Sequence, residues 1–229
     1  MEKEKCFLNW SGGKDSYMAL ERILNDEKFQ LEFLFTTFSD EHKRVTMHGV
    51  PERLMDEQAR CLGLPLRKFY LPENCDMPTY EKLMREQLEQ IKSEGIHVSV
   101  FGDIFLEDLK SFRDKKLSKV GMKGYYPLWK EDTAILVHSF VEKGSKTIVV
   151  AADGSKLDAT HVGRVIDRNF LTSLPEDVDP CGENGEFHTF VFDGQLFHKP
   201  VAFEIGETVQ KTYKVTDSKD AAFWFCELK

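Results

Sequence analysis

A run of residue types suited to binding an anion lies near the start of the chain: Ser11-Gly12-Gly13-Lys14-Asp15-Ser16. The run follows a short apolar segment, residues 6–10, and precedes apolar residues at helical spacing. A strand, a glycine turn and a helix N-terminus in this order direct free backbone N–H groups and the positive end of the helix dipole at one point. The Lys14 ammonium and the hydroxyls of Ser11 and Ser16 add donors. The run is therefore predicted to bind a phosphate.

The spacing of the loop identifies which kind of phosphate loop it is. A Walker loop requires G-x-x-x-x-G-K-[ST], but Leu8 stands where the first glycine belongs and Asp15 follows Lys14. The string S-G-G-K-D-S instead resembles the pyrophosphate loop of the N-type ATP pyrophosphatases, also called adenine nucleotide alpha hydrolases. That resemblance implies cleavage of ATP between its α- and β-phosphates, with release of AMP and pyrophosphate.

The composition bounds the class of protein. Of the 229 residues, 41% are hydrophobic, enough for one core or for a core with a smaller second domain. The five cysteines form no C-x-x-C pair, which argues against a disulfide framework and a zinc site and predicts a cytoplasmic protein. The apolar runs are too short to span a membrane. The net charge of −8 argues against a nucleic-acid partner, while an oligomer is compatible with these features.

Residues 1–130 are predicted to form a nucleotide-binding domain of alternating strands and helices. Strands are expected at 5–10, 29–37, 66–70 and 97–102, helices at 16–25, 50–62, 79–93 and 106–120, and a short strand or turn at 125–129. Such alternation is typical of an α/β fold with a doubly wound parallel sheet. Ligands of such sheets bind beyond the carboxyl ends of the strands.

Residues 131–229 are predicted to form a smaller α+β domain that completes the substrate cleft. Helices are expected at 133–143 and 161–174, and strands at 147–152, 187–192, 201–205, 209–215 and 223–228. The change from strict alternation to a strand-rich pattern places the boundary near Lys130.

Three further strings follow the phosphate loop along the chain: Met47-His48-Gly49-Val50, Tyr126-Pro127-Leu128-Trp129, and residues 179–190, which contain Gly182-Glu183-Asn184-Gly185-Glu186-Phe187-His188-Thr189. Together with the loop they resemble the diphthine–ammonia ligase family over about residues 5–200. The resemblance implies a HUP-like PP-loop ATPase fold, ATP and Mg²⁺ as cofactors and ammonia as amine donor. The implied activity is amidation of an adenylated carboxylate, which in this family completes diphthamide on elongation factor two.

One segment departs from the family pattern. Diphthamide-forming members carry, at the end of the fourth strand, a glycine–alanine segment that leads to a tyrosine–glutamine–arginine string. This chain has Gly102-Asp103-Ile104-Phe105-Leu106-Glu107-Asp108 there. Because substrates are read at the carboxyl ends of strands, the acceptor is expected to be either a translation factor or a small acid. Cys181 replaces an alanine of the family, so the resemblance implies no catalytic thiol.

The resemblance, together with positions at strand ends and in loops, assigns roles to individual residues. Catalysis is expected from Lys14, Glu183 and Glu186. Nucleotide binding is expected from the phosphate loop together with Thr36, Thr37, His48 and Gly102. Binding of Mg²⁺ is expected from Asp15 and Asp103. Contact with the acceptor is expected from Asp103, Arg164, Asn184, His188 and Thr189.

Simpler structural roles stay open for several of these residues. Asp15 also suits the first turn of a helix, and Thr36 and Thr37 are ordinary β-branched strand residues. The two glutamates of the second domain flank Asn184-Gly185, a hairpin-turn signal. Arg164 also suits an ion pair on a helix surface.

The function predicted from the sequence is an ATP-dependent ligase that adenylates an acceptor carboxylate for amide formation with ammonia. One alternative is a PP-loop enzyme that acts on a small-molecule acid. Another is a nucleotide-binding sensor without turnover, which would leave the acid-rich string at 182–189 without a role. Sulfur transfer to tRNA would require cysteine pairs and a basic face, and the sequence has neither.

Overall fold

The computed structural model describes residues 3–46, 48–216 and 219–229. Met47, the first residue of the His48 motif, lies outside the described residues. The first half of the chain contains the strands β1 (Glu4–Asn9), β2 (Phe29–Ser39), β3 (Leu66–Leu71), β4 (Val98–Val100) and β5 (Lys123–Tyr125). Its helices are α1 (Lys14–Leu24), α2 (Glu52–Leu62), α3 (Met77–Ser93) and α4 (Glu107–Lys119).

The five strands form a parallel sheet in the order β3-β2-β1-β4-β5. The chain moves outward from β1 to β3 and then returns to the other side of β1, so right-handed crossovers place helices on both faces. Cys6 and Leu8 are buried with α1 and α2, whereas Phe7 between them is buried with α3 and α4. The predicted doubly wound α/β sheet is confirmed.

The second half of the chain forms a four-stranded antiparallel sheet with two helices. Its elements are α5 (Thr133–Glu142), β6 (Lys146–Asp153), α6 (Arg168–Ser173), β7 (Phe187–Asp193), β8 (Ile205–Thr216) and β9 (Lys219–Leu228). The strand order is β7-β6-β9-β8. The α+β character predicted for this part is confirmed, and β7 is left as an edge strand. Across the described ranges, no helix has the length and apolar character needed to cross a bilayer.

Two predicted elements of the second half are wrong. The helix predicted at 161–174 is only α6, because residues 163–166 pair with β6 instead. The N–H of Gly163 donates to the carbonyl of Val149, and the N–H of Val149 donates to the carbonyl of Arg164. The strand predicted at 201–205 does not form, and Ile205 begins the long strand β8. Helical spacing of apolar residues was therefore outweighed by hydrogen bonding to a neighbouring strand.

The two sheets are joined at the phosphate loop. The backbone N–H of Val191, on the edge strand β7, donates to the carbonyl of Gly12 at 2.8 Å. Gln58 of α2, which is fully buried, donates to the carbonyls of Gly12 at 3.0 Å and Val191 at 2.6 Å. Its Oε1 accepts from the indole N–H of Trp10 at 2.7 Å. One amide thus ties α2, the loop and the second sheet together.

We expect Gln58→Leu to lower the free energy of unfolding by about 2–4 kcal/mol, because the Trp10 indole N–H and the Val191 carbonyl lose their buried partner. Urea denaturation followed by circular dichroism measures the change. The matched control is Gln90→Leu on α3, where the side chain is exposed and a change within about 0.5 kcal/mol is expected. Equal effects of the two substitutions would show that Gln58 does not join the sheets.

Candidate active site

The phosphate loop runs from the end of β1 into the first turn of α1. Gly12 has φ +78°, and a Cβ there would lie 2.8 Å from Sδ of Met55, so conformation and packing both require glycine. Gly13 is the N-cap of α1. Its N–H donates to Oγ of Ser11 at 3.2 Å, and its carbonyl accepts from Oγ of Ser16 at 2.8 Å. The serines hold the turn at a helix N-terminus, where anions bind.

Lys14 is almost fully buried, with 1% of its side chain exposed. Its Nζ lies 2.9 Å from Oδ2 of Asp15, and it also donates to the carbonyl oxygen of Cys181. The ring centre of Phe187 is 5.3 Å from Nζ. Burial disfavours the charged form, but Asp15 and other nearby negative charges together raise the pKa of Lys14. The site therefore contains a fixed, buried ammonium group.

The second sheet closes over the loop through β7. The backbone N–H of Lys14 donates to Oγ1 of Thr189 at 3.0 Å. A Cβ on Gly13 would lie 3.0 Å from the carbonyl oxygen of Thr189. With the bond between Gly12 and Val191, β7 contacts three consecutive residues of the loop. Thr189 and the phosphate loop, predicted from separate strings, are thus brought together.

Glu183 reaches from the second half of the chain to the end of β4. Its Oε1 accepts from the backbone N–H groups of Ile104 at 2.7 Å and Phe105 at 3.4 Å. Burial, reinforced by the nearby carboxylates of Asp15 and Asp103, raises the pKa of Glu183 to about 7. A carboxyl group with this pKa can exchange a proton near neutral pH.

Asp103 is held at the end of β4 by Arg113 of α4. Nη2 of Arg113 donates to Oδ1 at 3.2 Å, and Nε lies 2.9 Å from Oδ2, off the line of a hydrogen bond. Burial raises the pKa of Asp103, although Arg113 opposes this effect. A Cβ on Gly102 would lie 2.8 Å from the backbone carbon of Asp15. The end of β4 therefore packs directly on the first turn of α1.

Glu186 organises the loop that carries Glu183. Its side chain is buried, and Oε1 accepts from the N–H of Asp179 and from Nδ2 of Asn184, both at 3.0 Å. Oδ1 of Asp179 accepts in turn from the N–H groups of Cys181 at 2.9 Å and Glu183 at 3.1 Å. Sequence reasoning missed Asp179 as a site residue, because its partners are backbone N–H groups that only the fold brings to it.

Burial raises the pKa of the Cys181 thiol far above its usual range, and the thiol donates to the carbonyl of Thr133 at 3.3 Å. The group is therefore a neutral thiol at neutral pH.

His48 and His188 meet across the two halves of the chain, with ring centres 4.4 Å apart. Nδ1 of His48 lies 3.3 Å from the carbonyl oxygen of Thr46. Burial, with a contribution from the charge of Lys14, lowers the pKa of His48 to about 4. Burial, the neighbouring His48 and Lys14 lower the pKa of His188 well below its usual value. Both rings are neutral at neutral pH, and an incoming polyphosphate would favour their protonation.

Thr36 and Thr37 lie at the end of β2. Oγ1 of Thr36 is buried and donates to the carbonyl of Trp10 at 2.6 Å, so this hydroxyl fastens β2 to the strand that leads into the loop. The carbonyl of Thr37 accepts from the N–H of Thr46 at 3.3 Å. Both residues border the site, and their contact with a nucleotide stays a prediction.

Arg164 makes its contacts within the second half of the chain. Its Nη1 donates to Oγ of Ser173 at 3.1 Å, and its guanidinium carbon lies 5.1 Å from the ring centre of Phe170. These contacts do not join Arg164 to the phosphate loop, and its predicted contact with the acceptor stays a prediction.

The predicted Mg²⁺ ligands are the carboxylates of Asp15, within the phosphate loop, and Asp103, at the end of β4. Carboxylate oxygens are the ligands that Mg²⁺ prefers. Within residues 3–46, 48–216 and 219–229, the one group of three or more potential ligand side chains within 4.8 Å is the exposed set Glu41, His42 and Glu73. Asp15 and Asp103 thus do not belong to a site closed by protein ligands alone. Such a closed site is not required, because Mg²⁺ is commonly held by one or two carboxylates together with substrate phosphates.

Comparisons with known proteins show which family the chain belongs to. The model of the diphthamide synthase N-terminal domain matches residues 4–124, and that of the diphthamide synthase C-terminal domain matches residues 132–219. A diphthine–ammonia ligase from Danio rerio is 26% identical over 191 residues, covering 75% of this chain and 73% of the relative.

Another diphthine–ammonia ligase, from Schizosaccharomyces pombe, is 24% identical over 218 residues, 87% of this chain and 36% of the relative. A solved structure described as a predicted subunit of tRNA methyltransferase from Methanocaldococcus jannaschii has 19% identity and a TM-score of 0.46. The match covers 84% of this chain and 98% of that chain.

We expect Glu183→Gln to remove part of the pH dependence of stability. The folded-state pKa of about 7 lies above the usual value of 4.5, so the carboxyl favours the folded state below pH 4.5. That contribution is lost as pH rises to 7, at about 1.4 kcal/mol per pH unit. At pH 8 the free energy of unfolding of the variant should exceed that of the wild type by about 3 kcal/mol, since a Gln carbonyl still accepts from Ile104.

Urea denaturation at several pH values between 4.5 and 8 measures this effect. Glu207→Gln, at an exposed position, is the control and should leave the pH profile unchanged. Parallel profiles for wild type and Glu183→Gln would contradict the burial of this carboxyl group.

Proposed function

This chain belongs to the diphthamide synthase family, and its relatives include proteins named diphthine–ammonia ligase. We propose that it joins ammonia to an acceptor carboxylate at the expense of ATP. A carboxylate oxygen of the acceptor attacks the α-phosphorus of ATP, and the bond from that phosphorus to the bridging oxygen of the β-phosphate breaks. Pyrophosphate leaves with the electron pair. Ammonia then attacks the acyl carbon, and AMP leaves as the amide forms.

The observation that carries this proposal is the meeting of the two family domains at Lys14. The Cys181 carbonyl accepts from Nζ of this lysine, and Thr189 accepts from its backbone N–H. Both partners come from the segment matched by the C-terminal domain model. A ligase needs the nucleotide and the acceptor in one site, and this contact supports a site built from both domains.

The phosphate loop would bind the polyphosphate of ATP. The positive end of the α1 dipole and the ammonium of Lys14 would attract anionic oxygens and oppose the charge that develops as pyrophosphate leaves. Of the two carboxylates proposed to hold Mg²⁺, the Asp15 side chain is 30% exposed and the Asp103 side chain 13%. When bound, Mg²⁺ would neutralise charge on the departing pyrophosphate.

Glu183 is proposed as the general base of the second step. Attack by ammonia on the acyl carbon requires loss of a proton, and a carboxylate with a pKa of about 7 can accept it at neutral pH. His48 and His188 are proposed to face the phosphates, since both lie near the charge of Lys14. Glu186 is proposed as a positioning residue that acts through Asp179.

Diphthine of a translation factor is the acceptor that the relatives' name indicates. A small carboxylic acid is favoured by one feature of this chain, the segment from Gly102 to Asp108 at the end of β4. The side chains of this segment, at the expected substrate position, differ from the family string. One of them, Asp103, is tied to Arg113.

We expect ATP with an acceptor and ammonium to yield AMP and pyrophosphate, because the loop is of the pyrophosphate type. Phosphorus NMR of the products decides this, and accumulation of ADP and phosphate would contradict the loop assignment.

Lys14→Met should weaken ATP binding, measured by calorimetry, roughly 10- to 150-fold, the scale of one charged hydrogen bond. Lys115→Met, on the exposed side of α4, is the control and should bind ATP as the wild type does.

Two substitutions of Glu186 distinguish a role in proton transfer from a role in positioning the loop. Glu186→Ala should lower turnover while ATP affinity changes little, because Asp179 and Asn184 lose their shared acceptor. Glu186→Gln retains a carbonyl acceptor and should restore turnover to within about threefold of wild type. A loss of roughly 100-fold in Glu186→Gln, the scale of a missing acid–base group, would instead make Glu186 a proton-transfer residue.

A further inference from the structure

A cavity of about 450 Å³ lies between α3 and α4, on the face of the first sheet opposite α1 and α2. Its floor is formed by Asn9 of β1, Ser99 of β4 and Phe101 just beyond β4. These residues stand at the carboxyl ends of two adjacent strands, where open α/β sheets bind ligands. Asn9 lies two positions before Ser11, and Phe101 directly precedes Gly102. The cavity and the phosphate loop therefore share the ends of the same two strands.

The walls of the cavity are apolar. They are built from Met84 and Leu88 of α3 and from Leu109 and Phe112 of α4. On the floor, the amide nitrogen of Asn9 already has its hydrogen-bond partners, because Nδ2 donates to the Ser99 hydroxyl and to the Val100 carbonyl, each at 2.8 Å. Concave, mostly apolar sites of this volume typically bind small molecules.

The rim of the cavity is cationic. Glu81 is the one carboxylate among the lining residues. Five basic side chains line the rim: Lys82, Arg85, Arg113, Lys116 and Lys119. Lys116 pairs with Glu81, and Arg113 pairs with Asp103. In the part of the chain that the structure describes, Arg85 and Lys119 have no carboxylate within 4.0 Å. A protein of net charge −8 thus presents unpaired positive charge at the rim of this cavity.

We propose that this cavity binds the acceptor as an organic acid with an apolar body, an inference that rests on the ligase function proposed above. The carbon skeleton packs against Met84, Leu109 and Phe112. The carboxylate lies at Arg113, the rim cation linked through Asp103 to the end of β4 that packs on α1. Arg85 and Lys119 attract the anion to the cavity from solution.

Isothermal titration calorimetry tests the charge and shape of the ligand without any turnover. The probes are hexanoate, 4-phenylbutyrate and the neutral 4-phenylbutanamide. We expect at least one acid to bind and 4-phenylbutyrate to bind about tenfold tighter than its amide. Absence of binding by both acids at 10 mM, or equal affinity for 4-phenylbutyrate and its amide, would overturn the proposal.

Charge reversal at the rim locates the binding site. Arg85→Glu and Lys119→Glu should each weaken 4-phenylbutyrate binding by about 2- to 5-fold, the scale of an exposed charge pair. Lys115→Glu, on the same helix as Lys119 but outside the cavity lining, is the matched control. Equal effects of the three substitutions would mean that the anion responds only to overall charge. Competition between adenosine and 4-phenylbutyrate would assign the cavity to the nucleotide base instead.

A turnover assay separates this inference from the ligase function. With ATP, Mg²⁺ and ammonium present, an acid that binds in the cavity should increase AMP formation at least tenfold, and Lys119→Glu should raise the acid concentration needed. Binding without any increase, in a protein that forms AMP with another acceptor, would remove the acceptor assignment. Formation of ADP rather than AMP would refute the proposed function while leaving the calorimetric result intact.

Discussion

The buried ammonium of Lys14 is the constraint on which the rest of the site depends. A cation buried at the N-terminus of a helix is doubly unfavourable, because it loses hydration and meets the positive end of the helix dipole. Two acceptors offset this cost here, the carboxylate of Asp15 and the carbonyl of Cys181. The second acceptor belongs to the other half of the chain. The charge that suits the loop for phosphate is therefore stable only when the two halves are in contact.

That contact also explains how the edge of the second sheet is used. An edge strand exposes unpaired N–H and C=O groups, and β7 directs part of its free edge at the phosphate loop, where Val191 donates to Gly12. Gln58 completes the junction with hydrogen bonds to both backbones. Contact with the second sheet also limits position 13 of the loop, where a Cβ would lie 3.0 Å from the carbonyl oxygen of Thr189. Phosphate binding and domain packing thus constrain the same few residues.

The sequence predicted what local chemistry determines and missed what tertiary contacts determine. The phosphate loop was visible because six adjacent residues make it, and the strand–helix alternation because each element carries its own apolar pattern. Gln58 and Arg113 gave no signal, since their partners Val191 and Asp103 are defined only by the fold. The helix predicted at 161–174 failed for a related reason: residues 163–166 bond to β6, which the spacing of their own side chains does not reveal. Glu186 was predicted as a site residue, but its link to Asp179 was not predicted.

The link between Glu183 and the end of β4 suggests how this site can keep its chemistry while its acceptor changes. Glu183 accepts from the backbone N–H groups of Ile104 and Phe105 and makes no hydrogen bond to their side chains. A backbone donor is present whatever side chain occupies the position, provided that it is not proline. The side chains at positions 104 and 105 can therefore vary without releasing Glu183, the proposed general base. Within the segment from Gly102 to Asp108, the Asp103 side chain holds Arg113 at the rim of the cavity that is proposed to bind the acceptor.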